Sequence, residues 1–305
     1  MTESLISIAL CTYNGEKYLS QQLDSILNQT YRNLEIIIVD DCSKDTTWDI
    51  VKKYAQADSR IKYYRNDVNL GYNKNFERAI SLTTGDFISI SDQDDIWTPD
   101  KIEILKDNIQ DNWLVFSNSE FMEEDGTAAH TLLDDFRMEG KSYKSILFTN
   151  YVAGHAVLFK KEFLNYLLPF PEVGFYDWWM AFVAFYHHKA TYVNKVLTRY
   201  RKHSASVMQN ILKNEKEKVR YLLFKINIDE FTAFETYRDL KKEDKVYISN
   251  MKKAFLLRLK YPYSVPLIRI IEKDYNILFS ELKSRKGFSR LNFAMKQSVK
   301  VKNDE

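Results

Sequence analysis

The run Leu34-Glu35-Ile36-Ile37-Ile38-Val39, ending in Asp40-Asp41, constrains the fold more than any other stretch of the chain. An apolar run this short, closed by turn-forming acids, predicts a strand buried on both faces, as in parallel sheets. Similar runs occur at residues 5–10, 61–65, 87–91 and 114–117. Between them, residues 16–28 set Leu19, Leu23, Ile26 and Leu27 at helical spacing, and residues 46–57 and 73–82 do likewise. Strands alternating with helices in this way predict βαβ units, an α/β fold with a mainly parallel, Rossmann-like sheet flanked by helices. Ligands of such sheets collect outside the carboxyl ends of the strands, so chemistry is expected in the loops that follow each run.

Beyond the first 118 residues the pattern loosens. Residues 122–143 are polar and irregular and read as a loop. Residues 152–159 predict a strand, 175–188 an apolar helix and 191–200 another strand. From 210 onward a Lys/Glu-rich helical pattern prevails, broken near Tyr261-Pro262 and Val265-Pro266. The expected division is a catalytic domain over 1–208 and a basic, mainly helical region over 209–305. Charge follows that division: the net +2 of the chain splits into −7 before residue 209 and +9 after it. Such asymmetry implies two regions with different partners.

The two cysteines, Cys11 and Cys42, can form neither a disulfide framework nor a zinc site, which fits a reducing cytoplasm. Residues 1–10 lack the basic-then-apolar pattern of a signal peptide. No apolar run approaches the roughly 20 residues that span a bilayer. The chain is therefore expected to be soluble, or at most held at the inner face of a membrane.

Four strand ends carry polar groups: Cys11-Thr12-Tyr13-Asn14-Gly15-Glu16, Val39-Asp40-Asp41-Cys42-Ser43, Asn69-Leu70-Gly71-Tyr72-Asn73-Lys74 and Ser91-Asp92-Gln93-Asp94-Asp95. Asp and Asn are ordinary turn and cap residues, so each alone says little. Together, and in this order, they mark a site. Three carboxylates crowded at one strand end repel unless a cation sits among them. Hard oxygen ligands favour Mg2+ or Mn2+, which keep positions open for phosphate oxygens. A dehydrogenase would need a Gly-x-Gly-x-x-Gly turn after the first strand, and residues 11–16 contain one glycine.

The chain resembles the family 2 glycosyltransferases of the GT-A fold. The matching segments are Ser7-Ile8-Ala9-Leu10-Cys11-Thr12-Tyr13-Asn14, Ile38-Val39-Asp40-Asp41-Cys42-Ser43, Asn69-Leu70-Gly71, Gly85-Asp86 and Asp92-Gln93-Asp94-Asp95-Ile96-Trp97. The similarity covers about residues 4–205, and the five segments arrive in the family's order and spacing. The resemblance implies that Thr12, Tyr13, Asn14 and Asp41 hold the nucleoside, and that Asn69 and Lys74 line its diphosphate side. It implies that Asp92 and Asp94 are metal ligands, Asp94 the more direct, with Gln93 beside the substrate. Asp177 falls where the family keeps its catalytic base. His203, in Tyr200-Arg201-Lys202-His203, matches a motif that closes over metal and diphosphate, with Arg201 on the substrate side.

The base assignment has independent sense, since an inverting transferase must strip a proton from the acceptor hydroxyl as it attacks. Tyr176, Trp178 and Trp179 would bury that carboxylate and offer aromatic faces to a sugar ring. An Asp before an apolar helical run is also a common N-cap.

The Gln-x-x-Arg-Trp motif and membrane helices of processive members are missing, so transfer of one sugar per acceptor is expected. The motifs look most like bacterial rhamnosyltransferases of surface polysaccharide synthesis. This implies a deoxythymidine-diphosphate rhamnose donor, with a uridine-diphosphate hexose as the alternative, and a saccharide or lipid-linked acceptor. A non-catalytic nucleotide-sugar binder is the rival reading. The basic tail, with Phe255, Leu256, Leu257, Leu259, Ile268, Ile270 and Ile271 among Lys252, Lys253, Arg258, Lys260, Arg269 and Lys273, is expected to touch a membrane surface, to pair two copies, or to cap the catalytic domain. Nucleic acid has no expected part.

Overall fold

The computed structural model describes residues 3–202 and 214–302. The chain divides into two compact units. The first comprises 1–137, 152–170 and 187–203, and the second 138–151, 171–186 and 204–305. Segments 138–151 and 171–186, expected in the catalytic domain, thus group with the C-terminal helices.

The first unit is built on one sheet of nine strands. They are β1 (Ile6–Thr12), β2 (Leu34–Asp40), β3 (Ile61–Arg65), β4 (Phe87–Ser91), β5 (Ile96–Trp97), β6 (Leu114–Met122), β7 (Ala128–Thr131), β8 (Val157–Lys160) and β9 (Ala190–Arg201). Their order is β3-β2-β1-β4-β8-β6-β9-β5, with β7 added to β6. The first four strands pair in parallel, as expected. The rest of the sheet is mixed: β8 runs antiparallel to β4 and β6, β9 runs parallel to β6, and β5 runs antiparallel to β9.

Every residue of β1 and β2 is buried. Ile6, Ile8 and Leu10 share a core with Ile36, Ile38 and with Leu19, Leu23 and Ile26 of α1 (Leu19–Leu27). Each fully buried side chain of this size contributes about 1.5–3 kcal/mol. α2 (Thr47–Ala57) packs on β2 and β3, and α3 (Tyr72–Ser81) packs on β1 and β2. α4 (Lys101–Asn108) and the short α5 (Leu164–Leu167) complete the helices of this unit.

Two segments depart from expectation. The polar stretch after residue 122 includes β7, which extends the sheet from β6. The strand expected from residue 152 begins only at Val157, because Gly154–Ala156 form a 3-10 turn that lifts the chain off the ladder.

The second unit is helical. α6 (Tyr176–Tyr186) buries nine of its eleven residues, as a helix apolar on all sides must. It packs on α7 (Lys216–Glu235), where Phe182 stacks on Phe234 at 4.3 Å. α8 (Lys242–Leu256), α9 (Val265–Leu278) and α10 (Gly287–Gln297) follow. The Val265-Pro266 break is a helix start: Ser264 caps α9 by accepting the Leu267 N–H, and proline occupies the first turn. Phe255 and Ile271, expected on an exposed apolar stripe, are 2% and 0% exposed, because they fill the interior between these helices. No helix among the described residues is long and apolar enough to cross a membrane.

One clasp ties the sheet at its edge of entry. Glu35 on β2 is 5% exposed and accepts from Ser7 Oγ, the Thr84 and Gly85 amides and Lys62. Burial works against its charge, but these donors outweigh burial and hold its pKa down to about 2. Gly85 sits so close that an added Cβ would lie 2.7 Å from the Leu5 carbonyl oxygen and 2.9 Å from the Ser7 nitrogen. Gly85→Ala is therefore expected to cost about 1–3 kcal/mol, as overpacking does. Urea unfolding checks this, and a loss under about 0.5 kcal/mol, the scale of an ordinary surface substitution, would show that the loop yields freely.

Candidate functional site

The loop after β1 is held by the loops after β2 and β4. Thr12 Oγ1 donates to Asp40 at 3.0 Å, and both are buried. The Asn14 amide donates to Ser43 Oγ at 2.9 Å, and the Asn14 side-chain oxygen accepts the Lys44 N–H at 2.8 Å. Asn14 adopts a left-handed φ of 49°, a conformation Asn tolerates better than most residues. Gln93 forms a two-bond clasp with Tyr13, accepting its N–H at 2.8 Å and donating to its carbonyl at 3.0 Å. Gly15 permits that approach, since a Cβ there would fall 2.1 Å from Gln93 Oε1.

The loop after β2 organises the loop after β3. Asp41 is 3% exposed, and its carboxylate accepts the Leu70 and Gly71 amides at 2.8 and 2.9 Å and the Asn66 side chain at 2.6 Å. Asn69 Oδ1 accepts the Gly71 N–H at 3.1 Å. Lys74 pairs with Glu77 at 3.2 Å. Asp41 and Asn69 thus hold backbone amides and Thr12 holds Asp40, while Tyr13, Leu70 and Tyr72, at the start of α3, stand 45%, 45% and 43% exposed.

The acidic motif lies in the turn between β4 and β5. Asp95 is fully buried: Oδ1 accepts the Arg201 N–H at 3.2 Å, and Oδ2 has no hydrogen-bond partner. Burial, then neighbouring Asp94 and Asp92, push its pKa well above the usual carboxylate range. His155, 4% exposed, turns Nδ1 toward both acids, 3.6 Å from Asp95 Oδ2 and 3.8 Å from Asp92 Oδ2. Its Nε2 meets Ser119 Oγ at 2.9 Å, and its ring stacks on Tyr200 at 4.8 Å. β6 shifts register on either side of Asn118, and such irregularities re-aim side chains, here Ser119 beside the ring. Burial, then the Lys101 charge, lower the His155 pKa to about 3, so the imidazole is neutral.

One ligand atom each from Asp92, Asp95 and His155 lie within 4.8 Å of one another. In the tautomer that donates Nε2–H to Ser119, a lone pair on Nδ1 faces two carboxylates, one of whose oxygens, Asp95 Oδ2, is buried without a hydrogen-bond partner. That donor set fits a hard divalent cation with one nitrogen ligand. Asp94, expected as the more direct ligand, is half-buried and outside this group. Its carbonyl accepts from Arg201 Nε at 3.0 Å.

Arg201 is 4% exposed, donates also to Gln21 at 2.8 Å, and lies 4.5 Å over the Tyr18 ring. In this structure it braces the acidic turn, where the motif implied contact with substrate. His203 lies outside the described residues.

Asp177 belongs to the second unit, one residue into α6, half-buried, with Oδ1 accepting the Trp178 N–H at 2.7 Å. Trp178 and Trp179, expected to offer faces to a sugar, are 8% and 4% exposed. Trp178 donates Nε1–H to Ile146 at 2.7 Å and packs edge-on to Phe234, while Trp179 packs on Phe182 and Tyr237. Both are core residues of their unit, because a helix apolar all round leaves no face for solvent.

His155 had no sequence signal beyond a lone histidine before an apolar run. Asp95 was visible as a third acid, and only the fold shows it to be the most buried of the three.

Residues 7–167, over half of the chain, match the sequence profile described as Glycosyl transferase family 2. An uncharacterized glycosyltransferase of Methanocaldococcus jannaschii is 31% identical over 213 residues, 66% of this chain and 72% of that protein. The Escherichia coli UDP-Glc:alpha-D-GlcNAc-diphosphoundecaprenol beta-1,3-glucosyltransferase WfaP is 30% identical over 217 residues, 68% of this chain and 82% of its own. Among solved structures, residues 1–349 of Staphylococcus aureus TarS with UDP-GlcNAc superpose with a TM-score of 0.61 at 19% identity, covering 97% of this chain and 88% of that one. The mannosyltransferase PcManGT of Pyrobaculum calidifontis, in complex with GDP-Man and Mn2+, gives 0.56 at 18% identity, covering 92% and 76%. With its GT-A fold and its acids gathered at the strand ends, the chain belongs to glycosyl transferase family 2 and is a glycosyltransferase.

Proposed function

We propose that this enzyme moves one sugar, with inversion, from a nucleotide-diphospho-sugar to a saccharide or lipid-linked acceptor in bacterial cell-surface polysaccharide assembly. The observation that carries this reading is the group of half-buried Asp92 with buried Asp95 and His155 at the carboxyl end of β4, with Asp95 Oδ2 left without a hydrogen-bond partner. These three would hold Mn2+ or Mg2+, with Asp94 adjacent and His203 as a further ligand implied by its motif. When bound, the ion would neutralise charge on the diphosphate leaving group. Asp41, Asn69 and Gln93 hold the loops on which Tyr13, Leu70 and Tyr72 present apolar surface to a nucleobase. Asp177 takes the proton of the acceptor hydroxyl as its oxygen attacks.

For the donor, UDP-glucose in the name of WfaP and UDP-GlcNAc in the TarS complex support a uridine-diphosphate hexose ahead of deoxythymidine-diphosphate rhamnose. The diphosphoundecaprenol acceptor named for WfaP supports a lipid-linked acceptor and work at the inner face of the membrane. The 209–305 region would then serve as a peripheral contact. With Phe255 and Ile271 of the stripe buried, this falls to exposed aromatics at helix tips: Tyr261, Tyr263 and Phe288 are 55%, 45% and 83% exposed, with Lys260, Lys283 and Lys286 exposed nearby in sequence. Pairing of two copies through the same tips is the competing use.

Three measurements test these statements. Mn2+ should raise the melting temperature of the wild type, by the mass action that gives about 2.7 kcal/mol at a hundredfold excess over Kd. Asp92→Asn and His155→Ala should each lose most of that rise, and an undiminished rise in both variants would remove the metal reading. With UDP-glucose as donor, Asp177→Asn should bind the donor normally yet lose about 10²–10⁴-fold in turnover, as general-base loss does. Turnover that survives makes Asp177 a helix cap, a retained anomeric centre excludes single displacement, and turnover with the rhamnose donor alone reverses the donor ranking. The full chain should sediment with anionic but not neutral vesicles, less as salt rises. A shift to dimer in solution without vesicle binding would favour pairing of copies instead.

A further inference from the structure

Glu230, on α7, is 0% exposed in the helical unit. Its Oε1 accepts the Phe175 N–H at 2.7 Å, one residue before α6 and two before Asp177. Gly174, at a φ of 85°, completes the turn, and a Cβ there would lie 3.0 Å from both Glu230 oxygens. Only glycine serves at such a φ and such an approach. Oε2 is buried without a hydrogen-bond partner.

We propose that Glu230 is the positioning residue of the base segment: its carboxyl seats the Gly174–Phe175 turn and so fixes where Asp177 enters α6. This rests on the reading of Asp177 as the base. The sequence places Glu230 in the C-terminal helical region, 53 residues beyond Asp177. That region therefore does more than cap or anchor, since one of its side chains shapes the approach to a reacting group.

The charge state of Glu230 matters to this role. Burial raises its pKa to about 9, the Phe175 amide opposes that rise, and the charges of Asp177 and Asp229 add to it. Of the helices packed on α7, α6 brings Asp177, and α8 brings Lys252, which is tied to Glu235 at 2.7 Å. Near neutral pH Glu230 therefore holds its proton and still accepts from Phe175. Two neighbouring carboxyls do not ionise together cheaply, and the charge of Asp177 is among the causes that keep the proton on Glu230. Above about pH 9 Glu230 ionises and sets a buried negative charge beside Asp177 and Asp229, a repulsion that strains the turn although the Phe175 amide offsets part of it.

Glu230→Gln and Glu230→Ala test this in the full chain. The Gln variant stays neutral and can accept from Phe175, so it should keep most of the wild-type kcat near pH 7.5. It should also lack the fall in kcat that the wild type shows near pH 9. The Ala variant leaves the Phe175 amide unpaired, and its kcat should drop toward the ~10²-fold loss that a small misplacement brings, with donor KM unchanged. The amide resonance of Phe175 gives a readout that needs no turnover. It should titrate near pH 9 in the wild type and not in Glu230→Gln. A Phe175 amide that does not titrate in the wild type, or an alkaline fall identical in wild type and Gln variant, overturns the proposal. If Asp177→Asn stays active while Phe175 titrates as expected, the base reading fails and the Glu230 contact stands.

Discussion

The turn that carries the acidic motif is organised round a carboxylate that water does not reach. Burying Asp95 costs several kcal/mol unless its charge is met or its proton retained. The fold meets one oxygen with the Arg201 amide and leaves the other bare, facing Asp92 and a neutral histidine. Lys101, also wholly buried, donates to Thr198 at 2.9 Å and to the His155 carbonyl at 2.5 Å, and lies over the Trp97 ring. Burial drives its pKa well below that of an exposed lysine, while the nearby acids resist the change. Helix α4, strand β9 and the 3-10 turn at His155 are therefore joined by one buried polar network. Such networks rigidify when satisfied and are costly when they are not, so the position of each acid is set before any ligand arrives.

The loops beside that turn follow the same logic with cheaper parts. Asp41, Asn14, Ser43 and Gln93 each bond backbone groups of neighbouring loops through their side chains. These polar residues thus hold the loops in place. What remains exposed is apolar or aromatic, and its placement is inherited from a rigid sheet. The helical unit repeats the pattern with Glu230 in place of Asp41: a buried carboxyl receives an amide of the turn before α6.

Much of this was legible from residue pattern alone. The unbroken run at 34–39 demanded a strand covered on both faces, and Leu19, Leu23 and Ile26 could only be the face of a helix that covers it. The polar groups at four strand ends, acidic at two of them, pointed to where a site would lie, because doubly covered sheets leave only their ends open. Local order also placed the start of α9, since Ser264 and Pro266 are cap and first-turn residues by their own chemistry.

Tertiary structure decided the rest, for reasons of burial and distance. The sequence could show three acids together but not that Asp95, rather than Asp94, turns inward with His155 from 60 positions away. Trp178 and Trp179 look like sugar platforms beside an acid, yet a helix packed on all sides makes them core. Phe255 and Ile271 sit among lysines like a membrane-facing stripe, yet neighbouring helices cover them. Periodicity and local chemistry act over a few residues and are written in the chain. Which of two equivalent carboxylates is buried, and which apolar face meets a partner, depends on contacts between segments far apart, and only the folded chain supplies them.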